Sequence, residues 1–121
     1  MSLLQISAIT LAVRDMARSV EFYRAAAFQL LYGGADARFS SFKAGEGALN
    51  LVLTPGYEGR WWGRVIFWVD DVDALFRRLQ ARGFRPQAEP RDAEWGERYF
   101  HIQDPDGHEI SFARPLGRPA S

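Results

Sequence analysis

The sequence predicts an α+β protein. It is made of two tandem βαβββ modules that form a curved mixed sheet around a groove, with the helices on the outer face. Three observations carry this. First, Leu11-Ala12-Val13-Arg14-Asp15-Met16 recurs as Phe67-Trp68-Val69-Asp70-Asp71-Val72, an offset of 56 residues (11 to 67). The correspondence continues, with Val20 on Phe76, Tyr23 on Leu79, Ala27 on Gly83 and Phe28 on Phe84. A self-similarity of this length marks a repeated supersecondary unit. Second, each copy switches from alternating to helical apolar spacing at an Asp. Third, each helix is followed by Gly- or Pro-marked turns between short apolar runs.

The first module, about 5–54, opens with a strand from Gln5 to Val13. Ile9, Leu11 and Val13 share one face, and Ala8, Thr10 and Ala12 share the other. Asp15 is placed to cap the following helix, because its carboxylate can accept from free amides of the first turn. Met16, Val20, Tyr23 and Ala27 supply the helical stripe, which leaves Ser19 and Glu21 to water. A short strand over 29–32 ends at Gly33-Gly34. Strands 38–43 and 48–54 are joined by the hairpin signal Ala44-Gly45-Glu46-Gly47, and Pro55-Gly56 closes the module.

The second module, about 62–113, begins with a strand from Trp62 to Val69. Val65, Phe67 and Val69 face one way; Trp62, Arg64, Ile66 and Trp68 face the other. Asp70 or Asp71 caps a helix that buries Val72, Leu75, Phe76 and Leu79 and exposes Arg77, Arg78 and Arg82. Gly83 stops it. A strand over 84–87, a Pro-marked loop, a strand over 98–103, the turn Asp104-Pro105-Asp106-Gly107 and a strand over 108–113 complete the copy. Residues 114–121 read as a loose tail. The whole is expected to form one domain, 1–121.

Composition narrows the function. Lys+Arg and Asp+Glu are both 15, so the net charge is zero and lacks the basic excess of a nucleic-acid module. With no cysteine, disulfides, thiolate metal sites and thiol nucleophiles are excluded. No apolar run approaches a membrane span, and the N-terminus lacks a secretory signal, so the expected location is cytoplasmic. Aromatic residues reach 14%, and several of the four tryptophans fall where a core prefers aliphatics.

The candidate residues follow from strand parity. Trp62 and Trp68 are expected on the groove side, as stacking walls for a planar ligand or as filling. Arg64 shares that face and offers a fixed cation, with Glu109 as a counter-charge by parity. Trp95 lies in a loop, at a rim or as an anchor. Tyr99 has opposite parity to Phe100 and Ile102, which turns its hydroxyl toward the groove. His101 reads as a satisfied or partly exposed structural group and His108 as an exposed one. Glu94 and Glu97 read as loop residues. Ser111 lacks the Gly elbow of a nucleophilic serine.

Val13-Arg14-Asp15, Ser19-Val20-Glu21-Phe22-Tyr23, Trp95-Gly96-Glu97-Arg98-Tyr99-Phe100 and Asp104-Pro105-Asp106-Gly107-His108 join the repeat in resembling the vicinal oxygen chelate superfamily. That superfamily includes glyoxalase I, extradiol dioxygenases and bleomycin-resistance proteins. The resemblance spans about residues 5–113 and implies a homodimer. It also implies where the metal ligands of its enzymes would fall: Ala8, Asn50 or Val52, Arg64 and Ser111. Alanine has no donor atom, a guanidinium repels cations, and Asn and Ser are weak neutral ligands. The expectation is therefore a metal-free, cofactor-free protein that sequesters a small aromatic or planar molecule. Trp62, Trp68, Trp95 and Tyr99 would stack on it, and Asn50, Arg64 and Ser111 would orient its polar groups. The alternatives are a glyoxalase-, lyase- or dioxygenase-type enzyme using atypical ligands such as His101 or Glu109, and a structural dimer with a filled groove.

Overall fold

The computed structural model describes residues 1–117. Ten elements follow the order βαβββ twice: β1 (Ala8–Val13), α1 (Met16–Ala25), β2 (Gln29–Tyr32), β3 (Phe39–Ala44), β4 (Gly47–Leu53), β5 (Arg64–Trp68), α2 (Val72–Ala81), β6 (Arg91–Asp92), β7 (Glu97–Gln103) and β8 (Glu109–Pro115). They divide into two compact units, one ending at Gly59 and one beginning at Arg60.

In the first unit the strand order is β1-β4-β3-β2, with β1 parallel to β4 and the other pairs antiparallel. Ile9, Leu49 and Phe42 lie in one cross-strand row and Leu11, Leu51 and Ser40 in the next. Helix α1 covers this face. Tyr23 is fully buried there, with ring centroids 5.4 Å from Phe28 and 5.9 Å from Phe42. Ser19 is buried rather than solvated. It stands three residues after Met16 and four before Tyr23, inside the stripe that meets the sheet.

The second unit repeats the plan, in the order β5-β8-β7-β6, with β5 parallel to β8. Its covered face is aromatic. Phe67 stacks on Phe112 at 6.0 Å, Phe100 lies 5.5 Å from Phe112, and Phe76 of α2 meets Phe100 edge-on at 5.4 Å. Phe76 is only half-buried, whereas Val72, Leu75 and Leu79 are buried.

The helices keep the repeat at both ends. Asp15 accepts from the Arg18 amide at 3.1 Å and Asp71 from the Ala74 amide at 3.0 Å. At the other end Ala27 and Gly83 both adopt positive φ, 72° and 90°. The next amides, of Phe28 and Phe84, reach back to the carbonyls of Tyr23 and Leu79, each at 3.0 Å. A left-handed residue just past a helix turns the chain and satisfies orphan carbonyls.

The later strands depart from the sequence reading. Residues 84–87 form no strand. Pro86 and Pro90 lack the amides a ladder needs, and one bond, Gln87 amide to His101 carbonyl at 2.9 Å, ties this stretch to β7. The edge strand is the two-residue β6 instead. Strand β5 begins at Arg64, not Trp62, because Gly63 at φ 137° breaks the extension. Arg114 and Pro115 belong to β8 rather than to a loose tail, and the Leu116 amide bonds the Gly96 carbonyl at 2.9 Å. Residues 118–121 of that tail lie outside the described residues.

Candidate functional site

Each sheet has one face turned away from its helix. On the first, Ala8 pairs with Ala48, and Thr10 with Asn50 and then Ser41. Asn50 spends its amide on Thr10 Oγ1 at 3.4 Å. Beside these small groups the face carries Lys43, paired with Ala48, and the half-exposed Val52 and Phe39, and no acidic side chain from its strands.

The open face of the second sheet carries four rows: Arg64-Glu109-Gln103, Ile66-Ser111-His101, Trp68-Ala113-Tyr99-Arg91, and Pro115-Glu97. Parity thus places Arg64, Trp68, Tyr99 and Ser111 on one face, as expected. It does not gather them at one point. The long side chains sort into two clusters at opposite ends of β5.

The first cluster is electrostatic. Arg64 Nε donates to Glu109 Oε1 at 2.9 Å, and its terminal nitrogen binds the same oxygen. The bonded guanidinium holds the Glu109 carboxyl below the usual carboxylate range, against the opposing effect of burial. Beside this pair the Trp62 indole donates to His108 Nδ1 at 2.7 Å. An Nδ1 that accepts leaves the proton on Nε2, so the bond fixes the tautomer. His108, expected to be exposed, is 3% exposed. The cause is local: Asp104 Oδ1 accepts from the amides of Asp106 and His108, both at 2.9 Å, and draws the turn inward. Trp62 lies outside β5 and shares no wall with Trp68.

The second cluster is aromatic. Trp68 and Trp95 are 69% and 72% exposed, yet neither indole N–H is loose. Trp68 donates to Glu97 Oε2 at 3.0 Å and Trp95 to Glu97 Oε1 at 3.1 Å. One carboxylate holds both rings, one oxygen each. Trp95 stacks on Tyr99 with centroids 5.8 Å apart and planes at 29°. Tyr99 carries the Arg91 guanidinium over its ring at 5.2 Å and accepts from Arg91 Nε at 2.7 Å. Sequence reasoning set Glu97 aside as a loop residue. It is the first residue of β7, and its place two residues from both Trp95 and Tyr99 in sequence was the available signal.

Between the clusters Ser111 is 2% exposed and donates to the Phe100 carbonyl at 3.4 Å. This commits its hydroxyl to the sheet rather than to a ligand. His101 faces it in the register, and its Nδ1 is buried without a hydrogen-bond partner. Burial pushes this imidazole below its ordinary pKa, and the Arg64 charge adds to the effect.

A two-module βαβββ chain with one open face per sheet can be set against known proteins. The model of the Glyoxalase/Bleomycin resistance protein/Dioxygenase superfamily matches residues 5–112. The chain belongs to this superfamily. Uncharacterized protein YraH of Bacillus subtilis (strain 168) is 28% identical to it, over 96% of this chain and all of YraH. The crystal structure of TioX from Micromonospora sp. ML1 is 30% identical, with a TM-score of 0.74 over 93% of this chain and 99% of TioX. A bleomycin-binding protein complexed with bleomycin shares the fold at 22% identity and TM-score 0.71, over 93% of this chain and 98% of that one. The superfamily's description names enzymes and resistance proteins alike, so fold alone assigns no chemistry.

The metal positions of superfamily enzymes test poorly here, residue by residue. Ala8 offers no ligand atom. Asn50 is bonded to Thr10, and Arg64 is a cation that occupies the nearest carboxylate, Glu109. Ser111 is sealed against Phe100. Among the described residues no group of three or more His, Asp or Glu side chains converges. This donor set does not fit a divalent ion. No helix among the described residues is long and apolar enough to cross a membrane.

Proposed function

We propose that this chain is a metal-free binding protein that holds a planar aromatic small molecule against the open face of its second sheet. Its nearest functional kin would be the sequestering, bleomycin-resistance-like members of its superfamily. A homodimer is the proposed assembly. The observation that carries the reading is the Glu97 clamp. Two large indoles exposed to water would sample many rotamers, and ordering each on binding costs about 0.5–1.5 kcal/mol. Fixing both N–H groups to one carboxylate removes part of that cost before the ligand arrives. Trp95 spends one face on Tyr99, but both indoles remain largely exposed, and a stacked aromatic pair adds roughly 0.5–1.5 kcal/mol beyond area burial. Trp68, Trp95 and Tyr99 form this wall. Arg64 belongs to the separate polar cluster, with Trp62 beside it. Sequestration needs no nucleophile, which matches the buried, sheet-bonded Ser111.

Titration of a panel of planar aromatics while following tryptophan emission tests the proposal. Saturable quenching is expected, weakened severalfold by Trp68→Ala or Trp95→Ala and less by Glu97→Gln. Absence of any response across the panel overturns it. So does a stoichiometric divalent ion in protein purified without chelator. Sedimentation equilibrium tests the dimer; a single-chain mass at every concentration counts against it.

A further inference from the structure

Beside the aromatic wall the second sheet has a small recess, with Gln87, Glu89, Arg91, Tyr99 and His101 in its lining. Its cavity volume is about 40 Å³. Pockets that enclose a drug-sized ligand run to roughly 300–1,000 Å³, so this one takes one end of a molecule. Two of its groups lack the partners their chemistry calls for. Arg91 makes no ion pair among the described residues; its guanidinium is held by a neutral phenol, through Nε to the Tyr99 oxygen and over the Tyr99 ring. A guanidinium presents five N–H donors, and one is used. His101 has its Nδ1 buried and unbonded, so Nε2 is the nitrogen left to meet a ligand.

We infer that this recess is an oxyanion subsite, in which Arg91 and His101 bind a carboxylate carried by the planar ligand of the neighbouring wall. The inference rests on the binding function proposed above and names the ligand's class, an aromatic carboxylate. The layout suits it. Tyr99 joins the two parts, stacking with Trp95 and bonding Arg91. The ring of His101 lies 5.0 Å from that of Tyr99. Tyr99 therefore links the aromatic cluster to Arg91 and His101. Burial keeps the imidazole neutral near pH 7, and a neutral imidazole with Nε2 protonated donates one hydrogen bond to the oxyanion. The nearby carboxylates do not prevent this: Glu109 acts on His101 in the opposite sense, but burial and the Arg64 charge outweigh it. Glu97 is four residues from His101 along β7, roughly 13 Å at strand rise, and both its oxygens are bonded to indoles. Glu89 is exposed, where water screens its charge.

The test compares 2-naphthoate with 2-naphthylmethanol, which share a ring system and differ in charge. Wild-type protein is expected to bind the acid more tightly than the alcohol by on the order of tenfold, the size of one charge-assisted hydrogen bond. Arg91→Met and, separately, His101→Phe should erase most of that preference while leaving affinity for the alcohol within about twofold. In wild type the His101 ring nitrogen resonances should shift with the acid and not with the alcohol. Equal affinity for the two probes, or a preference that survives both substitutions, overturns the oxyanion subsite and leaves the aromatic wall standing. If neither probe binds, the wall itself is wrong and the subsite falls with it.

Discussion

The two units run the same plan on their covered faces and diverge on their open ones. Helices α1 and α2 begin, end and cap at positions 56 residues apart (16 to 72, and 25 to 81). Equivalent rows of the open faces share almost nothing. Ala8-Ala48-Lys43 in the first corresponds to Arg64-Glu109-Gln103 in the second, Thr10-Asn50-Ser41 to Ile66-Ser111-His101, and Ala12-Val52-Phe39 to Trp68-Ala113-Tyr99. A face packed against a helix must keep volume and apolarity, because every change there leaves a cavity or a clash. A face without that cover is free to acquire charge and large rings. Function is therefore sought where the copies differ.

The comparison breaks first, and hardest, in the cores. Phe42→Ala and Phe112→Ala remove fully buried rings from the covered faces. Each is expected to cost about 3–5 kcal/mol of unfolding free energy, measurable by urea titration. A loss under 1 kcal/mol at either site would mean that the two covered faces are not equally essential.

The pH dependence of stability should come mainly from the second unit. Asp73 is held below the usual carboxylate range by its hydrogen bonds from Arg98, and Glu109 by those from Arg64. A depressed carboxyl contributes stability that is present above its unfolded pKa, about 4, and lost as pH falls through the lower folded value. His101 is depressed as well, by burial first. The unfolded chain then takes up its proton near pH 6.5 while the folded chain does not, so stability declines as pH drops through about 6.5 and levels off at the folded value. Urea midpoints between pH 7.5 and 5 should fall in wild type and fall less in His101→Phe. Below pH 4.5 a second decline is expected, shallower in Glu109→Gln. A flat wild-type profile across both windows would contradict these assignments.

The smallest effect lies just past the C-terminal end of each helix. Ala27 and Gly83 occupy the same left-handed position, which costs a residue with a Cβ roughly 1 kcal/mol. Ala27→Gly should raise stability by up to about that amount, and Gly83→Ala should lower it similarly. Thermal midpoints would show both; if the two substitutions shift stability in the same direction, the capping argument fails.

Much of this was legible in the chain. The repeat, the Asp15 cap, a second cap at Asp70 or Asp71, the Gly83 stop and Glu109 as the candidate partner of Arg64 follow from spacing and parity, because helices and strands carry their own periodicities. His108 and Glu97 were not legible. His108 is turned inward by a side-chain bond from Asp104, and Glu97 matters only because β5 and β7 bring Trp68 to the same carboxylate as Trp95.

The sequence by itself determined the modules, their caps and which residues share a face, since each depends on neighbours within a few positions. Only the tertiary structure decided which members of a face touch. It split Trp62 from Trp68, sealed Ser111, and, among the described residues, left Arg91 without an ion-pair partner and His101 with an unbonded Nδ1, because those outcomes depend on strand register and on where each long side chain finds a partner across the sheet.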